Sequence, residues 1–439
     1  MIKQLAFALI LMVTIGIFVY TAGRLIRFFR FTRQSFPVRN IPGRFLLMLQ
    51  VAFGQTKMFR MPIIGFLHAL VFWGFCVILL GSIEMIIDGL SASEKCLGFM
   101  GGFYDFIMAS GDVFACAVTC SVFVFLARRI FLHVSRFNGI EMKALSHLDA
   151  NIALTLILLL MISLLGMNVA YVEYKKTAGE TILGSYPVSA RLGVLFTGLP
   201  ERSLFVIYEF FWWTHIILIF LFANILPYSK HFHVFLSVPN VFLSRLEPLG
   251  KLPHMDEITR EVRLLRDPNG VPTADGNGGA LPVRFGVKDV EDVSWKNYFD
   301  SLTCTECGRC TAVCPANITG KTLSPRKIMM DVRARMKEKG PGLIRNGTGF
   351  NDNKSLLNDY ITREELWACT TCNACATECP VNINHPTLIV EMRRFLVLEE
   401  AYAPGEIKSV FSNIENNGAP WQYSPEDRLN WTASLMLNT

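Results

Sequence analysis

Charged residues are scarce in the first 230 residues of this 439-residue chain, and they make up only 18% of the whole sequence. Segments without any charged residue occupy 4–23, 61–83, 150–172 and 210–229, and the segment between Asp105 and Arg128 is interrupted only by Asp112. Each is close to the ~20 residues that a helix needs to cross a bilayer. This scarcity of charge excludes a soluble protein and predicts five transmembrane helices.

Acidic residues are absent from the loop 21–61, which carries eight Lys or Arg. The loop after the third apolar segment is also basic, whereas the loop after the second is mostly acidic. The positive-inside bias therefore predicts that the N-terminus lies outside and that everything after Lys230 lies in the cytoplasm. These basic loops account for the net charge of +6, so no nucleic-acid partner is expected.

Positive charge is also nearly absent before the first apolar segment, where Lys3 stands alone. A cleaved signal peptide begins with a basic region, and here the basic residues follow the apolar run instead. The sequence therefore predicts a retained anchor in the inner (cytoplasmic) membrane and a multi-pass protein.

Cysteine is abundant, and eight of the twelve cysteines form two copies of one spacing. Both copies read C-x2-C-x2-C-x3-C followed by proline, which is the spacing of bacterial ferredoxins. The two copies are Cys304, Cys307, Cys310, Cys314 and Cys369, Cys372, Cys375, Cys379. Because the fourth thiolate of such a run cannot reach its own cluster without strain, it binds the other one. The runs thus predict two [4Fe-4S] clusters with exchanged fourth ligands.

One cluster is expected on Cys304, Cys307, Cys310 and Cys379, and the other on Cys369, Cys372, Cys375 and Cys314. Structural zinc and disulfide bonds are the alternatives for cysteine-rich segments. Zinc seldom uses four cysteines in one run, and disulfides do not suit a cytoplasmic segment. The cluster interpretation is therefore preferred, and it implies that the chain carries single electrons.

Histidine is rare, with eight residues in the chain, yet His68 and His215 lie inside predicted membrane segments. Ionisable residues within a bilayer are costly and usually functional, and imidazole is an axial ligand of haem iron. His215 and His233 are 18 residues apart, which is five turns, or ~27 Å on a continuous helix. This spacing predicts two b haems stacked across one membrane.

The pairing of the haem ligands is less determined. His68 and His215 are expected to share one haem, and His147 is the preferred partner of His233. The boundary histidines also fit an interfacial position without any cofactor. Other candidates at this depth are His133, His231 and Met58.

Four regions are predicted: a membrane domain over 1–240, a linker over 241–290, a two-cluster domain over 291–400 and a docking tail over 401–439. The Pro- and Gly-rich stretch 268–282 predicts a flexible surface loop. Between the cysteine runs, Ser324 and Pro325 begin a helical pattern that ends in basic residues and Gly340. The expected fold class is all-α, a five-helix membrane bundle followed by a helical cluster domain.

The membrane half resembles the dihaem cytochrome b subunit of respiratory nitrate reductase and the membrane subunit of heterodisulfide reductase. The resemblance lies in GFLHALVFWGF (65–75) and WWTHIILIFLFANILPYSKHFHVFLSVPNVF (212–242). It implies two b haems. The nitrate reductase subunit has a second histidine ten residues before the position of His68, where this chain has Met58.

The cysteine half resembles the iron–sulfur portion of heterodisulfide-reductase-like and electron-transfer-flavoprotein:menaquinone oxidoreductases. The matching segments are FGVKDVEDVSWKNYFDSLTCTECGRC (285–310), TGKTLSPRKI (319–328), LWACTTCNACATECPV (366–381) and NIENNGAPW (413–421). Fuller members continue into cysteine-rich repeats, whereas this sequence stops at Thr439. The terminal chemistry is therefore expected on another polypeptide, a cytoplasmic flavoprotein or a protein with cysteine-rich repeats.

The expected function is electron transfer between that partner and membrane menaquinone, as a subunit of a quinone-linked oxidoreductase complex. A related alternative is quinol oxidation that feeds a heterodisulfide-reductase-type complex. An alternative of another class is a non-redox membrane anchor with structural zinc.

Overall fold

The computed structural model describes residues 2–266 and 284–436, and these residues form helices and loops without a β-strand. The predicted all-α class is therefore confirmed. The predicted loop 268–282 lies outside the described residues. The α-helices of at least eight residues in the described chain are α1 (Ile2–Arg27), α2 (Ile41–Met48), α3 (Pro62–Ser91), α4 (Gly102–Phe131), α5 (Ala144–Ala178), α6 (Glu201–Ile225), α7 (His233–Phe242), α8 (Asp256–Arg266), α9 (Trp295–Thr303), α10 (Pro325–Asn346), α11 (His385–Leu398) and α12 (Gly405–Asn417).

Five helical segments of the described chain are long and apolar enough to cross a membrane, by length and composition. They coincide with the five predicted segments and span Ile2–Phe31, Pro62–Ser91, Gly102–Phe131, Ala144–Ala178 and Glu201–Tyr228. Their outer surfaces carry exposed apolar side chains such as Leu5, Phe66 and Phe123. A helix satisfies its own backbone hydrogen bonds, which is why it can present such a surface to lipid. The chain is thus a multi-pass membrane protein.

The five segments pack into one bundle. Helices α1, α3, α5 and α6 meet in an apolar core made of Phe7, Met85, Met167, Trp212, Ile216 and Phe220. A small residue brings α3 and α4 close together, because a Cβ at Gly74 would lie 2.6 Å from Cγ2 of Val118. Small residues commonly allow this close contact between membrane helices.

The cysteine half packs directly on one end of the bundle. One continuous core contains Leu25 from the last turn of α1 and Phe28 just after it, together with Tyr298 and Met336 from the cysteine half. The hydroxyl of Tyr298 donates to the carbonyl oxygen of Leu25 at 3.3 Å. The two halves therefore share a core across their junction.

Helix α10 extends beyond the glycine at which the sequence pattern predicts its end. Ser324 caps the start of α10 as predicted. The pattern places the end at Gly340, but the helix continues and stops before Gly347, whose φ is +78°. A Cβ at Gly340 would lie 2.4 Å from Cε1 of Phe28. Gly340 is thus required for close packing against the membrane half, and it does not end the helix.

Candidate metal centres

The first cavity of interest is lined by the sulfur-bearing residues Cys304, Cys307, Cys310 and Cys379. It bounds about 300 Å³ of empty space, part of which is open to solvent. Three of these cysteines belong to the first run, and the last belongs to the second run. The fold therefore brings the fourth thiol of one run to the first three thiols of the other.

The remaining four thiols form a second group, which consists of Cys314, Cys369, Cys372 and Cys375. Cys369 and Cys375 both interact electrostatically with Cys314 and with Cys372. Cys314 and Cys375 are buried, whereas Cys372 is exposed to solvent. The second group thus lies nearer to the surface than the first.

Both cysteine loops have the same backbone pattern. In the first run, Glu306 has φ +55° and Gly308 has φ +74°, each next to Cys307. In the second run, Thr371 has φ +54° and Asn373 has φ +60°, each next to Cys372. Left-handed residues on both sides of the second cysteine turn the chain sharply, which allows successive thiols to face one centre.

The free thiols of both groups are difficult to ionise. Burial raises the pKa of Cys304 to about 11 and, with repulsion from neighbouring thiols, raises the pKa of Cys375 and of Cys379 to about 12. Metal binding requires the thiolate form, and bound metal supplies the compensating positive charge. Four thiols around one cavity are the donor set of a [4Fe-4S] cluster, so the residues fit this group.

The first cavity lies against the membrane half. Lys57 donates from Nζ to the carbonyl oxygen of Cys379 at 3.2 Å, and Arg309 donates to the carbonyl oxygen of Lys57 at 3.0 Å. A Cβ at Gly308 would lie 2.3 Å from the carbonyl oxygen of Arg136. The first run therefore contacts the loops that precede α3 and follow α4.

A buried ionic network connects the same run to the bundle. Glu306 is bound by Lys230 at 3.3 Å, by Arg333 and by the hydroxyl of Ser146. Arg333 also donates to the carbonyl oxygen of Cys304 at 3.1 Å. Ser146 lies in the first turn of α5, and Lys230 lies between α6 and α7. The loop between the first two cysteines is thus linked by charge to the end of the bundle that faces the cysteine half.

His215 lies in the interior of α6 and is only 1% exposed. Its Nδ1 is bonded to the carbonyl oxygen of Leu160 at 3.0 Å and to the hydroxyl of Ser163 at 2.9 Å. Metal-binding histidines typically use one ring nitrogen for an oxygen partner of this kind and the other for the metal. The arrangement at His215 is therefore compatible with axial ligation.

His68 and His233 have similar surroundings. His68 Nδ1 is bonded to Gln55 Oε1 at 3.2 Å, and His233 Nδ1 is bonded to the carbonyl oxygen of Lys230 at 3.1 Å. Burial lowers the pKa of His233, which favours the neutral ring that binds iron. His68 lies within electrostatic reach of His233, so the structure brings these two histidines together.

The other candidates lie closer to the cysteine half. His147 is half-buried in the first turn of α5, and its charged neighbours include Arg129, Lys230 and Glu306. The sulfur of Met58 is 3.7 Å from Arg309, on the side of the cysteine loop. Of the remaining two histidines, His133 is exposed. His231 packs against His233, with their ring centroids 5.9 Å apart.

A second cavity lies beside His215, on the side of the bundle away from the cysteines. It bounds about 470 Å³ of empty space, and its polar lining includes Lys95, Asp112, Asn168 and Tyr186. The hydroxyl of Tyr186 is buried and has no hydrogen-bond partner within the described residues. The cavity therefore presents polar groups next to His215.

A family model described as a 4Fe-4S dicluster domain matches residues 303–383, which include both cysteine runs. Residues 303–383 are a 4Fe-4S dicluster domain. The dicluster domain begins at the end of α9 and extends to the residues just before α11. The expected [4Fe-4S] binding is therefore confirmed for this part of the chain.

Similar proteins are oxidoreductases and components of oxidoreductase complexes. The chain is 27% identical to a probable iron–sulfur-binding oxidoreductase of Bacillus subtilis, over 98% of this chain and 60% of the relative. It is 28% identical to an EtfAB:quinone oxidoreductase of Syntrophomonas wolfei, over 87% of this chain and 52% of the relative. One component of a CoB-CoM heterodisulfide reductase of Methanosarcina acetivorans is 34% identical over 24% of this chain and 52% of the relative.

These similarities confirm the resemblance to quinone oxidoreductases and heterodisulfide reductases, and they support a redox role. The chain spans between half and three fifths of the length of the first two relatives. No solved structure matches the chain.

Sequence reasoning missed several residues around the dicluster domain. His385 lines the first cavity, Glu306 joins the domain to the bundle, and Gln55 holds His68. The cysteine spacing contains no signal for His385, because it follows the last cysteine by six residues and is brought back by the start of α11. For Glu306, the sequence signal that could have indicated a role was its position between Cys304 and Cys307.

Proposed function

We propose that this chain transfers single electrons between a cytoplasmic redox partner and membrane menaquinone, as a subunit of a quinone-linked oxidoreductase complex. The observation that carries this proposal is the shared core between the dicluster domain and a bundle of five apolar helices with a buried histidine, His215. Such a junction would bring clusters bound in the dicluster domain next to the membrane. In this proposal the N-terminus is outside and the dicluster domain is cytoplasmic, as the loop charges indicate.

The cluster ligands are proposed as two crossed sets. Cys304, Cys307, Cys310 and Cys379 would hold the first cluster, and the cavity that these four line supports this set. Cys314, Cys369, Cys372 and Cys375 would hold the second, and the mutual electrostatic interactions of their thiols support it. The clusters supply one-electron chemistry when bound, while the protein sets their position and surroundings.

Two b haems are proposed on His215, His68, His233 and His147. Support comes from the oxygen partners at Nδ1 of the first three, which leave the other ring nitrogen for iron. His215 and His68 remain the proposed pair for one haem, and His233 with His147 for the other. The electrostatic interaction between His68 and His233 favours a test of the exchanged pairing as well.

The difference in exposure between the two cysteine groups suggests which cluster lies nearer to the membrane and which lies nearer to the partner. The first group contacts the loops of the membrane half through Cys379 and Gly308. The second group reaches solvent at Cys372. We therefore place the first cluster on the membrane side and the second on the side of the cytoplasmic partner, which would be a flavoprotein or a protein with cysteine-rich repeats.

Quinol oxidation that feeds a heterodisulfide-reductase-type complex is the second candidate. The observation that favours it is the similarity of part of this chain to a component of a heterodisulfide reductase. The two candidates differ in the direction of electron flow. Haem that is reduced by a menaquinol analogue but not by a reduced flavoprotein would favour the second candidate.

Purified protein provides the first test. We expect haem bands in the reduced-minus-oxidised spectrum and about eight non-haem irons per chain, four for each cluster. Cys379→Ala should lose the cluster of the first run and about half of the non-haem iron, because Cys379 lines that cavity. Cys96→Ala, at a cysteine outside both groups, is the matched control.

Three results would contradict the proposal at different points. A colourless wild-type protein that contains zinc would support a structural anchor. A normal iron content without haem bands would remove the haems and leave the dicluster domain. Loss of the second cluster in Cys379→Ala, with the first retained in electron paramagnetic resonance (EPR) spectra, would contradict the crossed ligand sets.

A further inference from the structure

His385 is a buried polar side chain in the wall of the first cysteine cavity. It is 1% exposed and begins α11, directly after the helix cap Asn384. It lines the same cavity as Cys304, Cys307, Cys310 and Cys379. The fold thus places one imidazole next to the proposed first cluster, and the segment around the end of the second run contributes both that imidazole and the fourth thiol.

The ring of His385 has an unmet hydrogen bond. Its Nδ1 is buried and has no hydrogen-bond partner in the described part of the chain. Buried polar groups in proteins are nearly always hydrogen-bonded, so an unpaired one calls for an explanation. An imidazole ring carries at least one N–H donor whether it is neutral or protonated, so Nδ1 can donate a hydrogen bond when it holds the proton.

The protein offers few other partners at this place. The wall beside His385 is apolar at Pro380, Val381 and Ile383. Arg326 also lines the cavity, but a guanidinium can only donate, and its Nε donates to Glu141 at 2.7 Å. Thr305 is a further lining residue, and its hydroxyl makes no hydrogen bond to Nδ1 of His385. The sulfur atoms of a bound cluster and of its cysteines are the acceptors that the inference assigns to the N–H of His385.

We infer that His385 donates a hydrogen bond to a sulfur of the first cluster and thereby raises the reduction potential of that cluster relative to the second. This inference rests on the proposed function, because it requires a cluster in the first cavity. Hydrogen bonds to cluster sulfurs and burial are known determinants of cluster potential. An added N–H donor stabilises the reduced form, which has one more negative charge. His385 would thus be a positioning and tuning residue, with no role as a ligand.

The physical consequence is a difference between the two clusters. Three thiols of the first group are buried, Cys307 is half-buried, and the group has this donor, whereas the second group is exposed at Cys372. Loss of one hydrogen bond changes an equilibrium by about tenfold, and tenfold corresponds to about 59 mV for a one-electron couple. His385→Leu should therefore lower the potential of the first cluster by about this amount.

The experiment is an EPR redox titration of the purified holoprotein. Wild type, His385→Leu and His385→Asn are compared, and the second cluster in the same sample is the internal control. The asparagine variant keeps a donor near the position of Nδ1, so its first cluster should titrate close to the wild-type potential. The first cluster is assigned beforehand by its loss in Cys379→Ala.

Wild-type protein with histidine labelled by ¹⁵N provides a second measurement that does not depend on folding of a variant. Pulsed EPR should detect nitrogen coupling to the reduced first cluster and not to the second. An unchanged potential in the leucine variant, or no histidine nitrogen coupling in wild type, would overturn the inference while leaving both clusters in place. Absence of both cluster signals in wild type would instead overturn the proposed function.

Discussion

Replacing Glu306 with glutamine should weaken the attachment of the dicluster domain to the membrane bundle. Glu306 is 9% exposed, and Lys230 beside it is 8% exposed. The carboxylate is the acidic partner of Lys230 and Arg333, and Ser146 completes the group. The substitution keeps the volume of the side chain and removes its negative charge. Two cations then remain at a buried junction without their acid.

The magnitude follows from this burial. Breaking a buried ion pair by removing one partner costs about 3–5 kcal/mol, because the other charge stays desolvated. For a unit of about 150 residues, such as residues 284–436, 1 kcal/mol shifts the melting temperature by about 2–4 °C. We therefore expect an apparent Tm about 6–20 °C lower in Glu306→Gln. The remaining bonds of Lys230 to Ser146 favour the lower part of this range.

The assay is thermal bleaching of the cluster absorbance of the purified protein at one fixed heating rate, because unfolding of such proteins is commonly irreversible. Glu406→Gln, the same change at an exposed position of α12, is the control and should shift the Tm little. The double variant Glu306→Gln with Lys230→Met should lose less than the sum of the two single variants, because the two residues interact directly. A Tm shift in Glu306→Gln no larger than that in Glu406→Gln would refute this reasoning.

Three further predictions concern the haems, the pH dependence of stability and the partner. His215→Ala should remove one b haem and leave the other in reduced-minus-oxidised spectra. Loss of the same haem in His68→Ala would support the pairing of His68 with His215. Full haem retention in His215→Ala would contradict the proposed ligation. Burial alone would raise the pKa of Asp289, but hydrogen bonds from two buried cations lower it. This carboxylate therefore stabilises the fold above its unfolded pKa of about 3.9, and that contribution is lost as the pH falls through its lower folded pKa. The Tm difference between wild type and Asp289→Asn should accordingly stay constant from about pH 8 to pH 5, and a difference that shrinks within this range would contradict the assignment. Deletion of residues 413–431, where Trp421 is 57% exposed, should release a cytoplasmic partner from native membranes in a pull-down without loss of haem or clusters, and retention of the partner would count against a docking tail.

The membrane helices and the cysteine pattern could be predicted because both depend on local chemistry. The length of a charge-free segment is set by the thickness of the bilayer, so α1, α3, α4, α5 and α6 could be recognised without knowledge of their packing. The spacing of a cysteine run is set by the reach of a short loop around one centre. The exchange of fourth thiols follows from that reach, and the structure places Cys379 in the cavity of the first run.

Contacts between distant segments could not be predicted in the same way. The sequence predicts a helix end at Gly340 because glycine is common just after the last residue of a helix. In the structure, the ring of Phe28, which follows α1, occupies the space that a side chain at Gly340 would need. Gln55 has no distinguishing sequence context, and its contact with His68 depends on the turn before α3. These roles arise from how separate segments of the chain meet, and periodicity and spacing carry no information about them.

By itself, the sequence determined that this protein has five apolar helices and two duplicated cysteine runs, because hydropathy and ligand spacing are properties of short segments. The tertiary structure alone decided that the two halves share one core, that Glu306 is paired with Lys230 across their junction, and that His385 enters the wall of the first cavity. The physical reason is that burial and pairing of polar groups depend on which surfaces meet. Which surfaces meet depends on packing over the whole chain, and a local sequence pattern does not contain this information.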